Sequence, residues 1–254
     1  MADITTAAMY VYGVVPKSSA RTISAPGVQG AAVQAVEHDD LAALTSALQT
    51  TTLDARDLRA HWRVLDEAFE QGVVLPVRFG TVVDGEDAVR RELLDPNADR
   101  FSDLMQQMSG MVQLNVKGRY DEEVLLKAIV AASPKVAQLR ERVRNQGTAA
   151  PTPDQLALGR VVEHEIARVR DADRVTVRQT LEPYAVAVRE EDVAHPSAFS
   201  AAFLVNRDAM DDFGRAVSGL REHFGERIEL RFTGPLPPFS FADADMAVGA
   251  GSWA

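Results

Sequence analysis

The stretch Val112-Gln113-Leu114-Asn115-Val116-Lys117 alternates apolar and polar side chains without a break. Strict alternation is typical of a strand that packs one face on a core and leaves the other face polar. Apolar residues then recur at helical spacing in the segments 124–129, 136–143 and 158–169. Only a short loop rich in Gly, Thr, Ala and Pro separates the last two segments, so we predict an antiparallel helical hairpin at about 134–181.

Strands resume after this hairpin and complete a mixed unit of helices and strands. We predict strands at 184–188 and 199–205, a helix through 213–224, and a last alternating strand at 228–233. The order strand, helices, strand, strand, helix, strand is that of a ferredoxin-like fold, in which the first and third strands are central. Residues 109–241 are therefore predicted to be a ferredoxin-like domain with an enlarged helical hairpin.

A different set of strands precedes this domain. Residues 8–15 are apolar on both strand faces, which predicts a central strand of a sheet. Two short apolar runs, 31–36 and 41–46, flank a polar turn and predict a hairpin. These three strands indicate that the chain begins with a sheet of its own.

An amphipathic helix is predicted to follow, from Asp54 to Gly72. Its stripe falls at positions i, i+4, i+7 and i+11 and is expected to pack on the core; the stripe is Leu58, Trp62, Leu65 and Phe69. A strand at 73–83 is broken by Pro76 and Gly80, and a helix at 86–107 is interrupted at Pro96.

The predicted fold class is thus α+β, with two ferredoxin-like α/β domains. The first is a modified ferredoxin-like domain at 1–108, and the second spans 109–241 with the helical hairpin at about 134–181. A flexible tail at 242–254 is expected to follow the Pro-rich end of the second domain.

Composition and charge exclude several classes of function. The chain has 254 residues, with 27 Lys and Arg against 37 Asp and Glu, and a formal net charge of −10. A field of that sign repels a phosphate backbone and an anionic lipid surface, so nucleic acid and membranes are not expected partners. The absence of cysteine excludes disulfides, thiolate metal sites and a cysteine nucleophile. The amino terminus lacks the basic start and the long apolar run of a signal peptide or membrane span, so a cytoplasmic location is expected.

No motif of a known enzyme class is found in the sequence. The five histidines are scattered, and Glu163-His164-Glu165 lacks the second histidine that a metalloprotease helix needs, since residue 168 is Arg. Nucleophile elbows, phosphate-binding loops and dinucleotide fingerprints are also missing. We therefore expect a chain that is not an enzyme, with no catalytic residues, no cofactor and no metal.

Two segments are candidates for partner binding. Leu75-Pro76-Val77-Arg78-Phe79-Gly80-Thr81 places an Arg inside the broken strand, where it either forms an ion pair that ties the strand down, which we favour, or faces a partner. Thr233-Gly234-Pro235-Leu236-Pro237-Pro238-Phe239-Ser240-Phe241 either packs as a strap on its own domain or stays extended as a docking surface. The predicted partner-binding residues are Arg78, Phe79, Gly80, Arg231, Gly234, Pro235, Pro237, Pro238 and Phe239.

These two segments, preceded by Met9-Tyr10-Val11-Tyr12-Gly13-Val14-Val15, form an ordered set that spans residues 9–241. With this set the chain resembles the gas vesicle accessory proteins of the F/L family. Where the family pattern is Gly-Pro-Trp-Pro-Pro-Tyr, this chain has Leu236 and Phe239, which keep the bulk and lose an indole N–H and a phenolic hydroxyl.

The resemblance implies a minor, non-enzymatic component that is needed to begin gas vesicle formation. It also implies that the partners are the small hydrophobic shell protein and other vesicle accessory proteins, and that the fold has two α/β domains of ferredoxin-like type. A shell that encloses gas needs an apolar inner face, so its subunits are prone to aggregate before assembly, and this chain is expected to hold or align them.

Several surfaces could make that contact, and two other functions stay open. One candidate surface is the polar sheet face that bears Gln113, Asn115, Lys117, Glu229 and Arg231, unless it is simply solvated or covered by the first domain. One alternative function is a scaffold that joins other accessory proteins through the helical hairpin. The other is a ferredoxin-like regulator that senses a small molecule, because fold alone does not settle function.

Overall fold

The computed structural model describes residues 8–20, 22–145 and 152–242. The chain divides into two compact units, the first formed by residues up to 113 together with those from 234 onward, and the second by residues 114–233. Most of the tail predicted at 242–254, and part of the predicted hairpin loop, lie outside the described residues. The domain boundary between residues 108 and 109 stays a prediction.

The sheet of the first unit is built around its first strand. That strand, β1 (Ala8–Pro16), pairs antiparallel with β3 (Leu41–Ala47) on one side and with β4 (Leu75–Pro76) and β5 (Val82–Asp84) on the other. β2 (Gln34–His38) pairs antiparallel with β3. The predictions of a central first strand and of a following hairpin are confirmed. All residues of β1 between its two ends are buried, which is why both of its faces are apolar.

Helix α1 (Ala55–Gln71) has the predicted bounds, and the cause is visible at both ends. The Asp54 carboxylate accepts hydrogen bonds from the backbone N–H groups of Arg56 and Asp57, and the Asp57 carboxylate accepts one from the N–H of Asp54. This capping box satisfies N–H groups that have no partner within the helix. The helix ends at Gly72.

The buried face of α1 differs from the predicted one. Leu58 and Trp62 are each 38% exposed, whereas His61 is only 1% exposed and Val64 is fully buried. The prediction that Leu58 and Trp62 pack in the core is therefore wrong. The helix is turned because two polar residues on its inner face, Asp57 and His61, find hydrogen-bond partners inside the unit.

The segment after α1 is irregular, as predicted. β4 and β5 are separated by a turn, and α2 (Glu86–Ala88) continues through a π-helical stretch (Val89–Leu94) and a 3₁₀ turn (Asp95–Asn97) into α3 (Ala98–Met108). The 3₁₀ turn that separates the π-helical stretch from α3 contains Pro96, which has no N–H to donate to a helix. The predicted interruption is confirmed.

The second sheet has the strand order β7-β8-β6-β9. Its strands are β6 (Met111–Tyr120), β7 (Ala187–Glu191), β8 (Ser197–Asn206) and β9 (Ile228–Leu236). β6 and β8 are the inner strands, as predicted. β7 begins three residues later than the predicted start at 184, because Glu182–Tyr184 form a 3₁₀ turn. The fold is thus a mixed arrangement of helices and two antiparallel sheets, and the ferredoxin-like description stays a prediction.

Four helices accompany this sheet, α4 (Glu122–Ala132), α5 (Pro134–Arg144), α6 (Pro153–Leu181) and α7 (Met210–Phe224). α5 packs along α6, and the Arg142 guanidinium lies 3.3 Å from the Asp154 carboxylate, so the end of α5 meets the beginning of α6. This is the predicted antiparallel hairpin. Within the described residues, the helices lack the combination of length and apolar composition needed to cross a bilayer.

Candidate partner-binding site

An aromatic cluster in the first unit brings the three characteristic sequence segments together. Tyr10 of the first segment lies 6.2 Å, centroid to centroid, from Phe79 of the second. Phe239 of the third lies 4.3 Å from Trp62 on α1, and the neighbouring His61 lies 5.7 Å from Phe79. The members of this aromatic cluster are Tyr10, Tyr12, His61, Trp62, Phe79 and Phe239.

The centre of the cluster is a buried pair of polar side chains. The Tyr10 hydroxyl lies 2.9 Å from Nδ1 of His61 and accepts a hydrogen bond of 3.1 Å from the backbone N–H of Gly80. Burial lowers the pKa of His61 to about 4, so the imidazole is neutral at neutral pH. A neutral ring can accept the Tyr10 hydroxyl proton at Nδ1. Burial also raises the pKa of Tyr10, so its hydroxyl keeps its proton.

Tyr12 extends this polar centre toward the loop before β2. Its hydroxyl lies 2.8 Å from Oγ of Ser46 and accepts a 2.7 Å hydrogen bond from the backbone N–H of Val28. An added Cβ on Gly27 would lie 2.2 Å from the same hydroxyl. Only glycine at position 27 lets the loop pass this close to the ring. The hydrogen bond from Val28 then holds the loop at Tyr12.

The turn from Arg78 to Thr81 closes over the cluster. The backbone N–H and the hydroxyl of Thr81 both donate to the Arg78 carbonyl, and Gly80 has φ +89°. A positive φ at the third position of a tight turn favours glycine. The hydrogen bond from Gly80 to the Tyr10 hydroxyl then attaches the turn to the sheet.

Arg78 itself is exposed, and its guanidinium has no carboxylate at ion-pair distance among the described residues. The expected ion pair of Arg78 is therefore not formed with any carboxylate of the described residues. The backbone N–H of Gly80 ties the broken strand down instead, through Tyr10.

The Pro-rich segment is folded rather than extended after Leu236. The backbone N–H of Phe239 donates to the Pro237 carbonyl, and those of Phe241 and Ala242 donate to the Pro238 carbonyl. Phe241 is buried, and the N–H of Ser240 donates to Oε1 of Gln113 at 2.8 Å. The alternative of an extended docking strap is therefore contradicted, because turn hydrogen bonds and burial hold the segment on the first unit.

The structure places the predicted partner-binding residues in three environments. Pro237 and Pro238 are buried, and Phe79 and Phe239 are partly exposed within the aromatic cluster. Five are exposed: Arg78, Gly80, Arg231, Gly234 and Pro235. Only the exposed and partly exposed members can touch a partner in this arrangement, and their role stays a prediction.

Sequence reasoning did not identify His61 or Trp62 as members of a site. The spacing in the helix could have indicated that His61 is buried. His61 lies three and four residues before Val64 and Leu65, so the three side chains share one face. A buried face centred on His61 places Trp62 at its edge, where the side chain is partly exposed. Leu58 and Trp62 lie one turn apart and are exposed to the same extent.

The polar sheet face, the other candidate contact surface, is only partly exposed. Lys117, Glu229 and Arg231 are exposed, whereas Gln113 is 4% exposed and accepts the hydrogen bond from Ser240. Lys117 lies 3.9 Å from the Glu191 carboxylate. Binding of a partner to this sheet face stays a prediction.

The larger grooves found among the described residues are open, whereas small-molecule sites usually enclose most of the ligand. An open groove of about 360 Å³ in the second unit is lined by charged and polar residues, Arg119, Tyr120, Asp121, Glu122, Gly225, Glu226 and Glu229. Among the residues described, no group of three or more His, Asp or Glu side chains could hold a metal ion.

Comparison with known proteins gives one consistent family. A family model described as gas vesicle synthesis protein GvpL/GvpF matches residues 8–243. The gas vesicle protein F of a Streptomyces species is 33% identical over 238 residues, which cover 92% of this chain and 99% of the relative. The gas vesicle protein L of a Streptomyces species is 30% identical, with 92% of each chain covered.

Solved structures agree with this result. The crystal structure of GvpF from Anabaena matches with a TM-score of 0.80 and 26% identity, over 93% of this chain and 98% of that one. GvpF from Microcystis aeruginosa matches with a TM-score of 0.75 and 25% identity, over 94% and 100% of the two chains. Because the family model spans nearly all of the sequence and the relatives align over nearly their full length, this chain belongs to the gas vesicle GvpL/GvpF family.

Proposed function

We propose that this chain is a non-enzymatic accessory protein that binds the hydrophobic gas vesicle shell protein and helps to nucleate or organise vesicle assembly. Its family gives it a role in gas vesicle formation. Shell binding and nucleation go beyond that role. They are supported by the physical need to shield or align subunits whose apolar faces are uncovered before assembly.

The observation that carries the proposal is the exposed edge of the aromatic cluster. Leu58 and Trp62 are each 38% exposed one turn apart on α1, and Trp62 packs against the partly exposed Phe239. Rigid aromatic side chains with part of their area uncovered often supply most of the binding energy of an interface. An apolar shell subunit would cover this edge, and the exposed Arg78, in the same turn as Phe79, would add a polar contact.

The proposed setting is the cytoplasm, in association with gas vesicles. We also infer that the second unit is ferredoxin-like, on the strand order β7-β8-β6-β9 with β6 and β8 inside. The proposed partners are the main shell protein and other vesicle accessory proteins.

The proposal is tested by binding of the full chain to the shell protein, fused to a carrier that keeps it monomeric. Trp62→Ala is expected to weaken binding about tenfold or more, because it removes the largest exposed part of the cluster. Tyr184→Ala is the matched control, since Tyr184 is an aromatic residue of the second unit with 39% exposure. If the wild-type chain is folded by circular dichroism and does not bind, direct contact with the shell is wrong.

A second candidate function is a scaffold that joins other accessory proteins through the helical hairpin. The observation that favours it is Leu156 on α6, which is 56% exposed near the free end of the hairpin. The scaffold function would take first place if Leu156→Glu, and not Trp62→Ala, removed the chain from complexes with other accessory proteins.

A further inference from the structure

Helix α4 is apolar on nearly all sides and yet only one of its faces is buried, through Leu125 and Ile129. Eight of its eleven residues are Val, Leu, Ile or Ala, and the other three are Glu122, Glu123 and Lys127. A helix of this composition is normally covered on every side. Here Leu126 is 42% exposed, and Ala128 and Ala132 are also exposed.

One face of α4, which combines buried and exposed residues, forms one wall of an open apolar groove of about 250 Å³ in the second unit. Leu125, Ala128, Ile129 and Ala132 line this wall, and α6 supplies Val169 and Ala172 to the other. Ala128, Ala132 and Ala172 are exposed. Because these side chains are small, another backbone could approach the groove closely.

The charged residues at the rim of this groove already have partners within the protein. Glu165 accepts a 2.9 Å hydrogen bond from Arg168. Asp173 accepts from both guanidinium nitrogens of Arg227, at 2.5 and 3.0 Å, and from the Tyr120 hydroxyl at 2.7 Å.

The groove therefore offers apolar contact without an unpaired charge at its rim. A charged partner face would lose its hydration there and gain no ion pair in return. The occupant that complements this groove is a helix face that is apolar and uncharged. A small cofactor is a poor match, because the volume is below the usual range of such sites and the rim lacks free polar groups that could orient it.

We propose that the α4–α6 groove binds an apolar, uncharged helix face of the shell protein, as a second site in addition to the aromatic cluster. This inference rests on the proposed function. With one site in each unit, a single chain holds two shell subunits. Tethering two subunits to one chain raises the effective concentration of each near the other, which favours the first contact of a nucleus.

The test is the stoichiometry of shell protein bound to the full chain, by calorimetry and by native mass spectrometry, with the carrier-fused shell protein as the probe. The wild-type chain is expected to bind two shell subunits. Ala128→Glu places an unpaired charge in the groove and is expected to leave one bound subunit. Ala131→Glu is the matched control, since Ala131 is an exposed residue of the same helix that does not line the groove, and it is expected to keep two.

The variants also separate the two sites. Trp62→Ala should leave one subunit bound through the groove, and Trp62→Ala combined with Ala128→Glu should leave none. A wild-type stoichiometry of one, or two subunits still bound to Ala128→Glu, would overturn the groove assignment while shell binding itself stands. No binding by the folded wild-type chain would overturn both proposals. Self-association of the chain that Ala128→Glu abolishes would show that a second copy occupies the groove and would overturn the assignment.

Discussion

The Tyr10 hydroxyl lies 2.9 Å from Nδ1 of His61, although the two residues are 51 positions apart in the chain. Tyr10 is fully buried and His61 is 1% exposed. The contact joins β1 to α1, and the same hydroxyl accepts the N–H of Gly80. One phenolic oxygen therefore connects the central strand, the first helix and the turn that follows β4.

Tyr10→Phe is expected to destabilise the chain by about 1–3 kcal/mol, because it leaves a buried ring nitrogen without a partner and removes the acceptor of a backbone N–H. The affected groups are the N–H of Gly80 and Nδ1 of His61. The free energy of unfolding in urea measures the loss. The matched control is Tyr184→Phe, which removes a hydroxyl from a residue that is 39% exposed and should change stability very little. Equal losses in the free energy of unfolding would mean that the buried hydroxyl of Tyr10 stabilises the fold no more than an exposed one.

The neutral state of His61 gives stability a defined dependence on pH. Burial lowers the pKa of His61 from 6.5 to about 4, so between these values the unfolded chain binds a proton that the folded chain does not. Stability is therefore unaffected by this group above pH 6.5 and falls as the pH drops toward 4. The total loss from this group is on the order of 3 kcal/mol.

NMR titration of the His61 ring checks this directly, with denaturation at several pH values as a second measurement. In His61→Phe the decline between pH 6.5 and 4 should be smaller than in the wild type, since carboxylates and other histidines contribute equally to both. A titration midpoint for His61 close to 6.5 would contradict the buried, neutral assignment.

Gly13→Ala is expected to destabilise the first sheet by about 1–3 kcal/mol through overpacking. A Cβ on Gly13 would lie 2.8 Å from the backbone oxygen of Leu75 and 3.1 Å from Cδ2 of Leu65. Gly13 also pairs with Pro76 of β4, and this strand pairing limits how far the two backbones can separate.

The control for this change is Gly214→Ala in α7. A Cβ there meets no atom within 4 Å, and alanine favours the helix by about 1 kcal/mol, so stability should rise. Thermal unfolding of the two variants should therefore move in opposite directions. A stabilised Gly13→Ala would refute the close approach.

Arg227→Met is expected to cost about 3–5 kcal/mol, because it leaves the carboxylate of Asp173 buried without its cation. The side chain of Asp173 is only 8% exposed, and Arg227 contacts both of its oxygens. Replacing both partners, as Asp173→Leu with Arg227→Met, should recover much of the loss. Urea denaturation of the single and double variants separates the ion pair from simple packing.

The exposed pair Arg178 and Glu182 provides the comparison. Solvent screens such a pair, so Arg178→Ala should leave the unfolding midpoint nearly unchanged. A large effect of Arg178→Ala, or none of Arg227→Met, would contradict the difference in burial.

The elements of this chain that depend on local pattern were predictable from the sequence. Alternation in 112–117 gave an inner strand of the second sheet, Asp54 and Gly72 gave the bounds of α1, and Pro96 gave an interruption. Strand alternation, helix capping and proline geometry act over a few residues, so they are legible without the fold. The family resemblance, carried by three short segments, is confirmed as well.

The tertiary structure alone decided which face of α1 is buried and how the candidate site is built. A histidine is buried in place of a tryptophan because Tyr10, far away in the chain, supplies its hydrogen bond. Arg78 is exposed, and the turn is attached through Gly80 instead. The Pro-rich segment bends at Pro238 and places Phe239 against Trp62. Each outcome depends on partners distant in sequence, and local periodicity carries no information about which distant group will satisfy a buried polar atom.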